Sequence, residues 1–231
     1  MKLENLTIQG ELLLSKTDKR RYGDACGTAH ALELIGERWT LLVLRELMLG
    51  ARRFSQLRAD LPGISANVLT QRLTELEQRG LVRRRKLPPP ASVQVYEATA
   101  WGLEAEPIVQ ALGRWAARSP GHDPTLPISG VSILLSFRTM ISEKRAKGVD
   151  ARIGFRFGAD DYIARIRKGG IRIARGPLEG CDVILSGAPA TLAAVVYGGQ
   201  PLDLLGVAGD RALAEKFTTL FVLPPKVGAD G

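Results

Sequence analysis

Ile64-Ser65-Ala66-Asn67-Val68-Leu69-Thr70-Gln71-Arg72-Leu73 is the stretch whose reading decides the fold. At about 100° of turn per residue, Leu69, Leu73 and Leu76 fall on one narrow stripe that must be buried. Asn67, Thr70, Gln71 and Thr74 fall on the far side. An exposed helix usually carries Glu and Lys there, yet this face is rich in amides and hydroxyls and short of charge. Such groups pair with base edges in the major groove of DNA. Arg72 on the flank suits either a phosphate contact or a salt bridge at the edge of the core. Taken alone, the helix fits a plain solvated face equally well, so its neighbours must decide.

They point one way. Helical spacing runs from Cys26 to Gly50, with Leu32, Ile35 and Trp39 three and four apart and Gly36 dividing two helices. A shorter helix over 53–61 presents Phe54, Leu57 and Leu61 on one side. Pro62-Gly63 ends it and forces a turn. Ser65 is then the N-cap of the opening helix, and Gly80 closes it. Residues 81–87 and 93–97 read as two strands around the stiff loop Pro88-Pro89-Pro90-Ala91-Ser92. The first strand carries Arg83, Arg84, Arg85 and Lys86, which alternate between its faces. Thr99 caps a last helix over 100–117, with Ile108, Leu112 and Trp115 in register and Pro107 kinking it. A helix, a turn, a polar-faced helix and a basic hairpin form one device for gripping double-stranded DNA. Arg52, Arg53, Ser55, Gln56 and Ser65 join the wing residues and Arg72 as phosphate candidates, since helix N-termini favour anions.

Composition agrees. The 231 residues are 45% hydrophobic and 24% charged, enough to bury a core, and the net charge is +8. Residues 19–120 carry +6, residues 121–231 carry +3 and residues 1–18 carry −1. A basic front half suits a polyanionic partner, although charge serves solubility too. No apolar run reaches the roughly 20 residues of a membrane span, and no secretory signal is read at the start. Two cysteines, Cys26 and Cys181, make no disulfide framework, and a reducing cytoplasm is expected. Residues 1–18 are weakly patterned, a floppy arm or an upstream extension. There are no internal repeats.

The proline-dense run 120–127 is the expected linker between two domains. Beyond it, helical spacing at 131–141 gives way to strand alternation: Ile153, Phe155, Phe157; Tyr162, Ala164, Ile166; Ile171, Ile173; Val183, Leu185. Gly169-Gly170 marks a hairpin turn. Two more helices are expected, over 189–197 and 211–221, the latter capped by Asp210. Asp160 and Asp161 read as a solvated hairpin loop. The fold class is therefore α+β, an α-rich winged helix-turn-helix domain over 19–119 followed by an α+β domain over 128–226 with a mostly antiparallel sheet. No nucleophile–base pair of recognisable spacing is found, so no enzyme, no cofactor and no metal site is expected.

Residues 20–118 resemble the HxlR family of winged helix-turn-helix transcriptional regulators. The resemblance rests on Cys26, Leu34-Ile35-Gly36-Glu37-Arg38-Trp39-Thr40, Arg53-Phe54-Ser55-Gln56-Leu57, Ile64-Ser65, Leu69-Thr70-Gln71-Arg72-Leu73, Gly80-Leu81-Val82-Arg83-Arg84, Tyr96 and Thr99. It implies a homodimer that binds specific DNA, joined through its terminal helices. Leu112 and Trp115 then belong to the seam between subunits or to the core of one. The resemblance also makes Cys26 a candidate redox sensor, with Arg20, Arg21 and His30 nearby; a buried inert thiol is the other outcome. Residues 126–224 resemble, more loosely, the sterol carrier protein fold. This implies a sheet and helices around an apolar tunnel for a hydrophobic small-molecule effector. Phe155, Phe157, Ile166, Leu192, Val196, Leu213, Phe217 and Phe221 are its candidate walls, or ordinary core. The competing function is a small-molecule carrier that uses its front domain for dimerisation.

Overall fold

The computed structural model describes residues 21–228. The arm expected at 1–18 and the basic pair Lys19-Arg20 lie outside them.

Helix α1 (Gly27–Ile35) stops at Gly36, as the spacing predicts. Helices α2 (Thr40–Glu46) and α3 (Phe54–Asp60) follow, and Pro62-Gly63 turns the chain into α4 (Ala66–Gln78). Ser65 caps α4, accepting from Val68 N at 3.3 Å. Gly80 takes φ +73°, the left-handed geometry that releases the chain from the helix. Strands β1 (Val82–Lys86) and β2 (Gln94–Ala98) pair antiparallel, Arg84 opposite Tyr96. Arg52 adds a third rung, exchanging two backbone hydrogen bonds with Tyr96 at 2.8 and 2.9 Å. Leu44, Leu57, Leu69, Leu73 and Leu76 are fully buried beneath this frame. Each contributes about 1.5–3 kcal/mol by leaving water.

The single kinked helix expected over 100–117 is two helices, α5 (Ala100–Leu103) and α6 (Glu106–Ala116). Pro107 starts the second instead of bending the first. Proline lacks an N–H, and the first helical turn is where that loss costs nothing.

In the rear half, α7 (Gly130–Met140) and the short α8 (Glu143–Ala146) precede a five-stranded sheet. Its strands are β3 (Ala151–Phe157), β4 (Asp160–Arg167), β5 (Gly170–Arg175), β6 (Val183–Ser186) and β7 (Gly206–Gly209), in the order β5-β4-β3-β6-β7. Only β3–β6 is parallel. Lys168 and Gly169, both at positive φ, make the two-residue hairpin turn between β4 and β5. Strand β7 was not expected; its Gly209 is required because a Cβ there would lie 2.4 Å from the Asp182 carbonyl oxygen. Helices α9 (Pro189–Gly198) and α10 (Arg211–Thr218) complete the domain, and Asp210 caps α10 as expected. α10 ends three residues before its predicted limit. Leu220 and Phe221 leave the helix to bond backbone-to-backbone beside α7, with Ser142 N to Leu220 O at 2.8 Å.

The proline-rich run does separate two architectures, but they are not loosely tethered. No residue of α7 is exposed. One side of α7 packs on the sheet and the other on α2 and α6 of the front domain, so this helix joins the two cores. Polar contacts cross the same junction. Glu46, fully buried, accepts from Ser129 Oγ at 2.8 Å and from Arg45. Burial pushes the Glu46 carboxyl up in pKa, against the charge of Arg45 and these hydrogen bonds. Arg138 on α7 grips Glu106 on α6.

Arg52 carries the largest correction. Expected at the DNA surface, it is buried, its guanidinium paired to Asp60 of α3 and, at 2.7 Å, to Asp160 of β4. Asp160 is therefore no solvated loop residue. Burial alone would raise its pKa, but Arg52 and Arg175, the latter at 2.7 Å, hold it below the ordinary aspartate value. Arg52→Ala should lower stability by about 3–5 kcal/mol in urea unfolding, because it strands Asp60 and removes one of the two cations that hold Asp160. Asp160→Asn tests the sign. A lowered carboxyl pKa contributes stability above the unfolded value of about 3.9 and loses it as pH falls through the folded value. The deficit of Asp160→Asn should thus be full at neutral pH and shrink under acid.

Candidate nucleic-acid interface

The α4 face is open as drawn. Asn67, Thr70, Gln71 and Thr74 are exposed, while Leu69, Leu73 and Leu76 anchor the helix from below. Two of the four carry local bonds. Thr70 Oγ1 donates to Ala66 O at 2.9 Å, and Gln71 Nε2 to Glu75 Oε1 at 3.1 Å. Both keep acceptor oxygens for a base, and breaking such exposed bonds costs little. Asn67 and Thr74 make no hydrogen bond through their side chains among the described residues, which leaves the Asn67 amide able to donate and accept at once.

Arg72 does not reach outward. It is buried, 2.8 Å from Glu75 and 3.5 Å from Glu37. The salt bridge at the core edge is the structure's answer, and the phosphate role is lost, because the residue lies on the buried side of α4 between Leu69 and Leu76. Arg52 is lost to the interface for the reason given above. Among the other phosphate candidates, Arg53 and Ser55 are exposed at the start of α3. Gln56 Oε1 accepts from Arg53 N at 2.9 Å and so serves as a cap for α3. Ser65 Oγ is the cap of α4 and retains its hydroxyl proton.

The wing holds its cations in pairs that the sequence did not suggest. Glu97 lies opposite Arg83 and ties both Arg83 and Arg85, the latter at 2.9 Å. Arg84 makes a two-pronged contact with Glu77 of α4, at 3.0 and 3.1 Å. This fixes the wing against the reading helix. Lys86 is exposed and has no ion pair among the described residues. The three arginine side chains remain about half or more exposed, at 68%, 52% and 45% for Arg83, Arg84 and Arg85. Exposed ion pairs are weak, so a phosphate can displace the carboxylates. The missed signal was legible: Glu97 sits on the partner strand at the register of Arg83.

Cys26 is exposed at the N-cap of α1. Backbone N–H groups of Thr28, then of Ala29, hold its pKa below the ordinary thiol value. His30 is not its partner; the ring turns to Glu33 at 3.2 Å. Arg20 lies outside the described residues. Cys181 differs: burial raises its pKa. Iodoacetamide should therefore label Cys26 first, with half-maximal rate at a pH below the usual cysteine value of about 8.5, and Cys181 only above it. Peptide mass mapping against pH reads this directly, and equal rates at both sites would refute it. No group of three or more potential metal-binding side chains exists among the described residues. No helix among them is long and apolar enough to cross a membrane.

The candidate tunnel of the rear domain is filled. Phe155, Ile166, Leu192 and Phe217 have no exposed surface, and Phe221 has little. Phe137 of α7 occupies their centre, its ring 6.0 Å from Phe155, 5.3 Å from Phe217 and 4.5 Å from Phe221. Val196 and Leu213 pack at the edge of this core. Of the eight proposed wall residues only Phe157 lines one of the two cavities described for the molecule.

With this geometry established, similarity to known proteins falls on the front half. The HxlR-like helix-turn-helix family profile matches residues 34–123. The HTH-type transcriptional regulator sll1512 of Synechocystis sp. is 40% identical over 90 residues, covering 39% of this chain and 67% of that protein. The HTH-type transcriptional regulator YodB of Bacillus subtilis is 36% identical over 86 residues, 37% of this chain and 77% of that one. The solved structure of reduced YodB covers 43% of this chain and all of its own at 32% identity, with a TM-score of 0.39. The polar-faced α4, the turn before it and the basic hairpin after it all lie inside the matched region, and through it this chain belongs to the HxlR-like helix-turn-helix family of transcriptional regulators.

Proposed function

We propose that the chain is a cytoplasmic, homodimeric, sequence-specific regulator whose grip on double-stranded DNA is modulated by a hydrophobic small molecule bound through its sterol-carrier-like rear domain. The exposed face Asn67, Thr70, Gln71 and Thr74 carries the reading. It is a helix surface of hydrogen-bonding groups with little charge, set between cationic flanks. In the major groove Asn and Gln pair with adenine through two bonds at once. Arg53, Arg84, Arg85 and Lys86 supply backbone contacts that carry no sequence information.

Two helices support the dimer. Neither α1 nor α6 buries a single residue. Between them they expose Leu32, Ile108, Leu112 and Trp115, the last to 73%. Leu112 and Trp115 are thus not core of one subunit, and apolar rows of this kind are what a second copy covers. The effector reading draws on the rear sheet, whose helices α7, α9 and α10 lie on one face, as in a sterol-carrier-like fold.

Asn67→Ala and Gln71→Ala should each reduce discrimination between operator and scrambled DNA by about 1–3 kcal/mol while leaving nonspecific binding intact. Arg84→Ala and Arg85→Ala should weaken binding to both DNAs alike and flatten the salt dependence, each lost phosphate contact reducing its slope by about one. Fluorescence anisotropy over a salt series separates these outcomes. Unchanged discrimination in both α4 variants would remove the face from the interface. Leu112→Asp with Trp115→Asp should yield a folded monomer by light scattering.

A further inference from the structure

A second cavity, of about 360 Å³, lies in the seam between the domains. Its front wall is Ala59 and Asp60 of α3 and Pro62 of the turn that feeds α4. Its rear wall includes Phe157 and Tyr162 of the β3–β4 hairpin, Ile128 before α7 and Ala188 before α9. The size matches a small ligand. The lining has a definite chemistry. Proline, isoleucine and phenylalanine side chains make most of it apolar. Its charges are balanced, Arg52 and the adjoining Arg175 against Asp60 and Asp160. A charged guest would face like charge without an unpaired partner.

One hydrogen-bond donor at this cavity lacks an acceptor among the described residues. Arg52 lines it, but its Nε–H is closed off from any water-sized space and so from a guest. Tyr162, also lining it, accepts from Arg175 Nη2 at 2.6 Å, which leaves its own O–H to donate. Burial pushes the Tyr162 pKa up to about 12, so the proton stays in place at neutral pH.

We propose that the seam cavity binds a small neutral ring compound bearing a carbonyl or similar acceptor, and that its occupancy is felt by α4 through Pro62. The guest's ring lies among the apolar walls and its acceptor accepts a hydrogen bond from the Tyr162 O–H. The proposal rests on the effector reading above and moves its site from the filled rear core to the seam. Coupling requires that the guest prefer one of two arrangements of α3, Pro62 and α4. The seam supplies the means, since the guest touches both domains at once.

The test uses the full chain, methyl-labelled for NMR, with benzamide, benzoate and toluene as probes. They share a ring and differ in charge and acceptor. Benzamide should shift the methyls of Ala59, Ile128 and Ala188 and leave those of Leu192 and Leu213 in place. Benzoate and toluene should bind about tenfold more weakly or less, the change expected for one poorly matched polar group. Ala188→Leu, at an exposed rim position, should abolish the benzamide shifts without altering Tm. Tyr162→Phe should weaken benzamide about tenfold. Shifts confined to the core methyls, shifts that survive Ala188→Leu, or no shifts at all would each overturn the site. A gel-shift titration run alongside keeps the two ideas apart. Seam binding with unchanged operator affinity overturns the effector reading and leaves the site standing. An operator response without seam shifts does the reverse.

Discussion

Arg52 holds three parts of the molecule at one point. Its backbone forms the third rung of the wing at Tyr96, while its side chain binds Asp60 of α3 and Asp160 of the rear sheet. A buried cation is costly unless its charge and its donors are matched. Here two carboxylates match them, and they come from different domains. The wing, the helix-turn-helix and the β3–β4 hairpin therefore cannot move independently without leaving a charge exposed to an apolar interior. This converts two domains joined by a proline-rich run into one mechanical unit.

Helix α7 extends that unit. No residue of it is exposed, Phe137 lies at the centre of the rear aromatic cluster, and its N-cap Ser129 is bonded to Glu46 of α2. These contacts tie residues inside the span matched by the family profile, such as Glu46, to residues beyond it, such as Ser129. A rear domain welded in this way is in direct contact with the elements that carry α4. Coupling through them is a difference in free energy between two arrangements of the same contacts.

Much of the front domain was legible in the chain itself. Leucines at helical spacing placed α4, Ser65 and Gly80 placed its ends, and the alternation of Arg83 to Lys86 placed the wing strand. These are signals read within a few residues, because helix and strand periods are local. The exposed polar face of α4 was legible for the same reason. What was misread had a partner far away in sequence. Arg52 looked like a phosphate ligand because it neighbours Arg53 at a helix start, but its acceptor Asp160 is 108 positions along the chain. Arg72 looked two-sided until Glu37 and Glu75 closed on it. The rear core read as either tunnel wall or ordinary core, because the two use the same residues. Only Phe137, arriving from α7, decides which it is.

The sequence by itself determined most of the elements, the α+β class and the exposed polar face of α4. Those follow from backbone periodicity, caps and turns, each set by neighbours. The tertiary structure alone decided which cations are free, whether the rear core is hollow, and that the open space lies in the seam. Such outcomes depend on which distant side chains meet and how completely they fill the volume between elements, and close packing has no signature in a linear chain.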